Sequence, residues 1–139
     1  MKTLLNFSVL TFLLVAASSQ CIAMMSIEDV SKTRAKELGV AIRSEMAGAN
    51  EVHVWLEFKT KGELKNFGRV QLEITAGERS VLSATLLPRH PSSDAVSIFF
   101  SADPATMPEC MVTLVVNDAL GGEGYRFKMS DFIDRGKSR

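Results

Sequence analysis

Cysteine, histidine and clustered charge are all scarce in this chain, and each scarcity removes a class of function. Two cysteines, Cys21 and Cys110, are present in 139 residues. Small extracellular domains that cannot build a sufficient core lean on several disulfides; one bridge is the most this chain could form, so its core must carry the stability. There are two histidines, His53 and His90, and neither a Cys-x-x-Cys nor a His-Glu-x-x-His spacing, which removes the recognisable zinc motifs. Sixteen basic residues balance sixteen acidic ones with no block of either sign. A nucleic-acid partner needs a basic patch to neutralise phosphates, and the nearest approach is the sparse set Lys59, Lys61, Lys65 and Arg69, broken by Glu63. No nucleic-acid partner is expected.

Long apolar runs are equally rare, with one exception at the start. Lys2 is the only side-chain charge before Glu28, and residues 4–17 run almost without polar interruption. Ser18, Ser19 and Gln20 follow, then Cys21-Ile22-Ala23. A basic start, a short apolar core and a small-x-small exit describe a cleavable secretory signal. The core is too short for a comfortable spanning helix, which needs about 20 residues. Cleavage after Ala23 is the preferred reading and after Ser19 the second. A lipid anchor on Cys21 is disfavoured, because Gln20 stands where a lipoprotein signal has a small residue. The expected division is a signal over 1–23, an N-terminal segment with a short helix over 24–39, a β-domain over 40–133 and a frayed tail over 134–139. The protein is then exported, periplasmic or extracellular, with no membrane span in the mature chain. After cleavage at Ala23, Cys110 would be the one thiol left, and no internal disulfide could form.

Residues 24–39 hold one helical signal. Ser31 can cap, the residues from Lys32 to Leu38 are mostly good helix formers, and Gly39 supplies a stop. Ser26-Ile27-Glu28-Asp29 could start the helix earlier through a capping box. From Val40 the apolar period becomes two. Val40, Ile42, Ser44 and Met46 alternate with Ala41, Arg43 and Glu45, and Val52, Val54, Leu56 and Phe58 alternate with His53, Trp55, Glu57 and Lys59. Val70, Leu72 and Ile74 repeat the pattern, as do Leu82-Ala84-Leu86, Val96-Ile98-Phe100, Val112-Leu114-Val116 and Tyr125-Phe127-Met129. Strict alternation marks a strand with one buried face. Turn residues separate the runs at 47–50, 76–78, 88–94, 103–108 and 121–124. Seven short strands punctuated this way predict a mainly β domain, an antiparallel β-sandwich of immunoglobulin-like architecture. Val115, apolar on the second face of its strand, places that strand centrally. Cys110, in phase with Val112, is expected to be a buried and inert thiol. Ser130 could cap a final turn through Ile133.

Three further motifs invite a chemical reading. His90-Pro91-Ser92-Ser93-Asp94 contains the residue types of a hydrolase triad, but five consecutive loop residues cannot place a base between nucleophile and carboxylate. Gly121-Gly122-Glu123-Gly124 lacks the Lys-Ser and the helix N-terminus of a phosphate loop. Calcium is the better metal hypothesis. Alternate loops of a sandwich share an end, and one end would collect Glu63, Asp94, Asp118 and Glu123, oxygen donors of the kind that ion takes.

Trp55 and Phe99 are both out of phase with the core residues of their strands. If both face outward on one sheet they form a patch that could grip a protein partner or stack on a glycan. The competing expectation, which the sequence favours, is that Ile27, Val30 and Leu38 of the N-terminal segment pack over Trp55 and close a second small core.

Ala35-Lys36-Glu37-Leu38-Gly39, the stretch from Val54-Trp55-Leu56-Glu57-Phe58 to Leu64-Lys65-Asn66-Phe67, and Leu120-Gly121-Gly122-Glu123-Gly124-Tyr125 resemble segments of small exported bacterial proteins of unknown function. The resemblance implies a signal followed by a β-rich domain and carries no activity, ligand or site residue. The leading expectation is therefore a non-enzymatic exported binding or accessory module. It would contact a cell-envelope or extracellular protein, or a glycan, through Trp55 and Phe99. A calcium-dependent domain and a hydrolase with an unrecognised site are the alternatives.

Overall fold

The computed structural model describes residues 25–133. The signal over 1–23, the fate of Cys21 and the tail over 134–139 lie outside the described residues. Eight strands and two short helices follow in the order β1 (Ser26–Asp29), α1 (Lys32–Leu38), β2 (Ala41–Met46), β3 (Val52–Lys59), β4 (Phe67–Ala76), β5 (Arg79–Leu86), β6 (Ala95–Ala102), β7 (Cys110–Val116), β8 (Glu123–Lys128) and α2 (Met129–Phe132). Strands assemble into a five-stranded sheet, β1-β8-β7-β4-β5, and a three-stranded sheet, β2-β3-β6. The chain is mainly β, as the alternation predicts.

One core joins the two sheets. Val54, Leu56 and Phe58 of β3 and Val96, Ile98 and Phe100 of β6 cluster with Val70 and Leu72 of β4, Val112, Leu114 and Val116 of β7, and Tyr125 and Phe127 of β8. Every one of these comes from the in-phase apolar set of its strand. Fully burying one such side chain is worth roughly 1.5–3 kcal/mol, so the alternation accounts for both the strands and their facing. Cys110 is buried and free, its thiol directed at the Thr106 carbonyl at 3.4 Å. Burial pushes that thiol up, with Glu109 adding to the effect, and a thiol held in its neutral form is a poor nucleophile. β7 runs between β8 and β4, and Val115 is fully buried on the opposite face.

α1 forms as the sequence predicts. The Ser31 hydroxyl accepts from the Arg34 amide at 3.2 Å, and Gly39, at φ 72°, donates its amide to the Ala35 and Lys36 carbonyls. Ala35 and Leu38 face the core.

Three local expectations fail. The smallest concerns Ser130, which lies inside the last turn, with Lys128 at its cap position, and caps nothing. Ser26-Ile27-Glu28-Asp29 does not begin the helix; it is β1, paired in parallel with β8, Ser26 opposite Glu123 and Asp29 opposite Arg126. Four residues are too few for a period to declare itself, and the partner lies almost a hundred positions away. The strand count is therefore eight, and one pairing is parallel. At the other end Met129 leaves its strand and opens the α2 turn, where it is fully buried. Among the described residues no helix is long and apolar enough to cross a membrane.

Candidate functional site

The out-of-phase residues of β2, β3 and β6 make the outer face of the small sheet. Register sets them in rows. Arg43 pairs with Trp55 and Trp55 with Phe99, so these three lie in line across the sheet; His53 pairs with Glu45 and Ser101 in the next row. The Trp55 and Phe99 rings stand with centroids 5.4 Å apart, and His53 meets them edge-on at 5.8 Å and 5.2 Å. His53 Nε2 lies 3.2 Å from Glu51. The Arg43 guanidinium covers the Trp55 ring and reaches Glu57 at 3.5 Å. Phe99 is 40% exposed, while Trp55 and His53 are half-buried.

The covering of Trp55 by the N-terminal segment does not occur. Val30, Ala35, Leu38 and Val40 belong to the main core. Ile27 packs on Gly124, on the outer side of the five-stranded sheet. Pairing between β1 and β8 commits the segment to the larger sheet, and among the described residues the outer face of the smaller one is left open. Sequence reasoning missed the part played by Arg43. Its alternation with Ala41 and Glu45 gave the face, but only the strand register reveals that it stands beside Trp55.

The four loop carboxylates do share an end, as the alternate-loop rule predicts. The Thr60 amide donates to the Asp94 carbonyl at 2.8 Å, and Asn66 and Asn117 are joined by a side-chain bond of 2.7 Å and a backbone bond of 3.0 Å. The carboxylates nevertheless diverge. Asp94 accepts from Ser92 at 2.9 Å and faces Lys59 at 3.6 Å, and both hold its carboxyl below the usual range. Asp118 takes the Arg69 guanidinium at 2.9 Å. Glu63 accepts from Arg34 and, at 3.0 Å, from the Tyr125 hydroxyl, and these bonds hold its carboxyl low. Glu123 stands on β8 opposite Val116. Each of the first three is matched to its own cation, and among the described residues no group of three or more His, Cys, Asp or Glu is gathered as a metal would need.

Arg34 is the hub on that side of the molecule. It bonds Glu28 of β1 at 2.8 Å, Glu63 of the turn before β4 and, at 3.5 Å, Glu37 of its own helix, and it lies 5.9 Å from the Tyr125 ring centre. Residues from β1, α1, β8 and the β3–β4 connection are thus tied by one guanidinium.

In the loop after β5, the Ser92 hydroxyl is spent on Asp94. His90 is exposed, and the contact between Ser92 and Asp94 spans two residues of a turn. A cleft of about 370 Å³ opens on the far side of the large sheet, lined by Asp29, Thr75, Glu109, Met111, Arg126 and Lys128 among others. Asp29 and Arg126 close on each other there at 2.6 Å. No protein-family model matches the chain, and no curated protein matches it.

Proposed function

We propose that the chain is an exported, non-enzymatic module that recognises a protein partner of the cell envelope or extracellular space through the outer face of its small sheet. One observation carries the reading: Trp55 and Phe99 sit side by side on the outer face, Phe99 exposed and Trp55 half-buried, in a row with Arg43. Tryptophan and arginine are among the residue types that dominate binding energy at protein interfaces, the indole through large, rigid contact area at low entropic cost. The polar surround of Ser97, Ser101, Glu45 and Glu57 on the same face supplies the rim such a contact needs.

The position of Arg43 favours a protein over a glycan. Sugar stacking wants an open indole face, and the guanidinium lies over this one at 4.2 Å from its centre. A protein partner can use the pair as it stands, offering a carboxylate to the arginine and an apolar pocket to the two rings.

An immunoglobulin-like sandwich is the finer architecture we infer. Strands β2, β3 and β6 oppose β4, β7 and β8, the partition of first, second and fifth strands against third, sixth and seventh that such domains show once β1 is set aside. β5 lies beside β4. The fold says nothing of the partner by itself; the reading rests on the chemistry of the face.

The test is a cross-linking capture from the secreted and envelope fractions, followed by titration with the purified partner. Trp55→Ala and Phe99→Ala should each weaken binding by about 2 kcal/mol, roughly thirtyfold, while melting stays close to wild type. Undiminished binding by both variants sinks the reading.

A further inference from the structure

The two sheets have four edges, and three of them are guarded. β1 is four residues long and carries Glu28 and Asp29. β2 carries Arg43 and Glu45. β6 is met by Arg89, whose amide and carbonyl both bond Ser97 at 2.8 Å. These are the ordinary defences of a sheet edge: brevity, charge and cover. Among the described residues, β5 has none of them along most of its length. Between Arg79 and Arg89 no residue is charged, and proline is delayed to Pro88. Val81, Leu82 and Leu87 are exposed there by 56%, 45% and 88%. A bulge disturbs the β4 pairing between Ile74 and Thr75, near the turn, and the register from Leu82 to Leu86 is regular.

We propose that β5 pairs antiparallel with β5 of a second copy of this chain, joining two five-stranded sheets into one of ten strands. The sequence of the strand is complementary to its own reverse. A two-fold axis through Ala84, perpendicular to the sheet, sets Leu82 opposite Leu86 of the second copy, Ser83 opposite Thr85, and Val81 opposite Leu87. Leu82 and Leu86 lie in phase on the core side, opposite Ile74 and Val70 of β4; the axis preserves that side, so the apolar rim of one core meets that of the other. Ser83 and Thr85 meet on the outer side, a pair that can hydrogen-bond across strands. Charge, which would oppose a self-pairing of like strands, is missing from Ser80 to Pro88; it returns at the ends, where the same axis sets Arg79 opposite Arg89, whose backbone is already turned to Ser97 of β6. A foreign strand would have to supply this pattern by chance, whereas a second copy supplies it by symmetry.

The contact is narrow. A strand of this length buries far less than the roughly 1,200–2,000 Å² of a stable interface, so the dimer forms and dissolves with concentration, in the micromolar-to-millimolar range. The Trp55 face, on the other sheet, is left free in both copies.

Analytical ultracentrifugation of the full processed protein across that range tests the proposal. Wild type should pass from monomer to dimer. The S83K/T85K variant, which sets lysine opposite lysine at exposed positions, should associate at least about tenfold more weakly with unchanged circular dichroism and melting. Mixing it with S83E/T85E should restore a heterodimer, since the two-fold register makes each lysine face a glutamate. W55A should dimerise like wild type. A wild type that stays monomeric at millimolar concentration overturns the proposal, as does a lysine variant that dimerises normally. So does a dimer abolished by W55A, which would transfer the interface to the other sheet.

Discussion

Arg43 and Trp55 are cross-strand partners, and the guanidinium carbon of the first stands 4.2 Å from the ring centre of the second. Trp55 is the sole tryptophan of the chain, so its fluorescence reports the surroundings of this one ring, the Arg43 cover among them. Arg43→Ala should uncover the indole. Emission should move to longer wavelength and acrylamide quenching should rise by about half or more, with a stability cost under about 1 kcal/mol. Quenching equal to wild type would mean that the arginine does not cover the ring in solution.

Arg34→Ala should loosen the N-terminal segment and reshape the acid limb of stability. Arg34 and Tyr125 hold the Glu63 carboxyl below its ordinary value of 4.5. A depressed carboxylate contributes stability that is present above its ordinary value and lost as pH falls through the folded one. The melting-temperature gap between wild type and variant should therefore be full at neutral pH and close below pH 4.5. A gap that persists or widens on acidification contradicts the assignment.

Tyr125, the sole tyrosine, is pushed up to about 12 from its ordinary 10.0, first by burial and then by its hydrogen bond to Glu63. Phenolate absorbance of the folded protein should therefore rise near pH 12. Glu63→Gln should lower that midpoint but leave it above 10.0, since burial remains. The sign for stability is the reverse of Glu63: the contribution is complete below pH 10.0 and drains away as pH climbs to about 12. A midpoint at the ordinary value in the wild type would mean that the hydroxyl is open to water.

At Gly124 of β8, side chains of β1 and β7 crowd the backbone from both sides. A Cβ there would stand 3.0 Å from Thr113 Cγ2 and 3.3 Å from Ile27 Cγ1. Gly124→Ala should cost about 1–3 kcal/mol through overpacking. Hydrogen exchange should quicken first at β1, the shortest strand, paired with β8 alone. An alanine variant with wild-type melting and exchange would show that β1 is not seated against Gly124.

The strands could be read from the chain because each buries one face, and burial writes itself as alternation: Val54, Leu56 and Phe58 inward, Trp55 and Glu57 outward. Helix α1 could be read because its capping is local, Ser31 to Arg34 and Gly39 to Ala35. β1 could not, since four exposed residues with a distant partner carry no period. The site divides in the same way. Facing told that Trp55 and Phe99 lie outside their core sets, but that they are direct neighbours is a matter of register, as is the placement of Arg43. The loop carboxylates show the limit most clearly. Topology brought Asp94, Glu63 and Asp118 to one end, while Lys59, Arg34 and Arg69 turned each aside.

Because β1 zips in parallel onto β8, the earliest described strand has no partner until the last one exists. A ribosome making this polypeptide releases Ser26 to Asp29 about a hundred residues before Glu123 to Lys128. Through that interval the large sheet stays unfinished, and the tie from Arg34 to Glu28 has no closed frame to brace. The final fastening of the large sheet thus waits until β8 has been made, long after the residues it clasps.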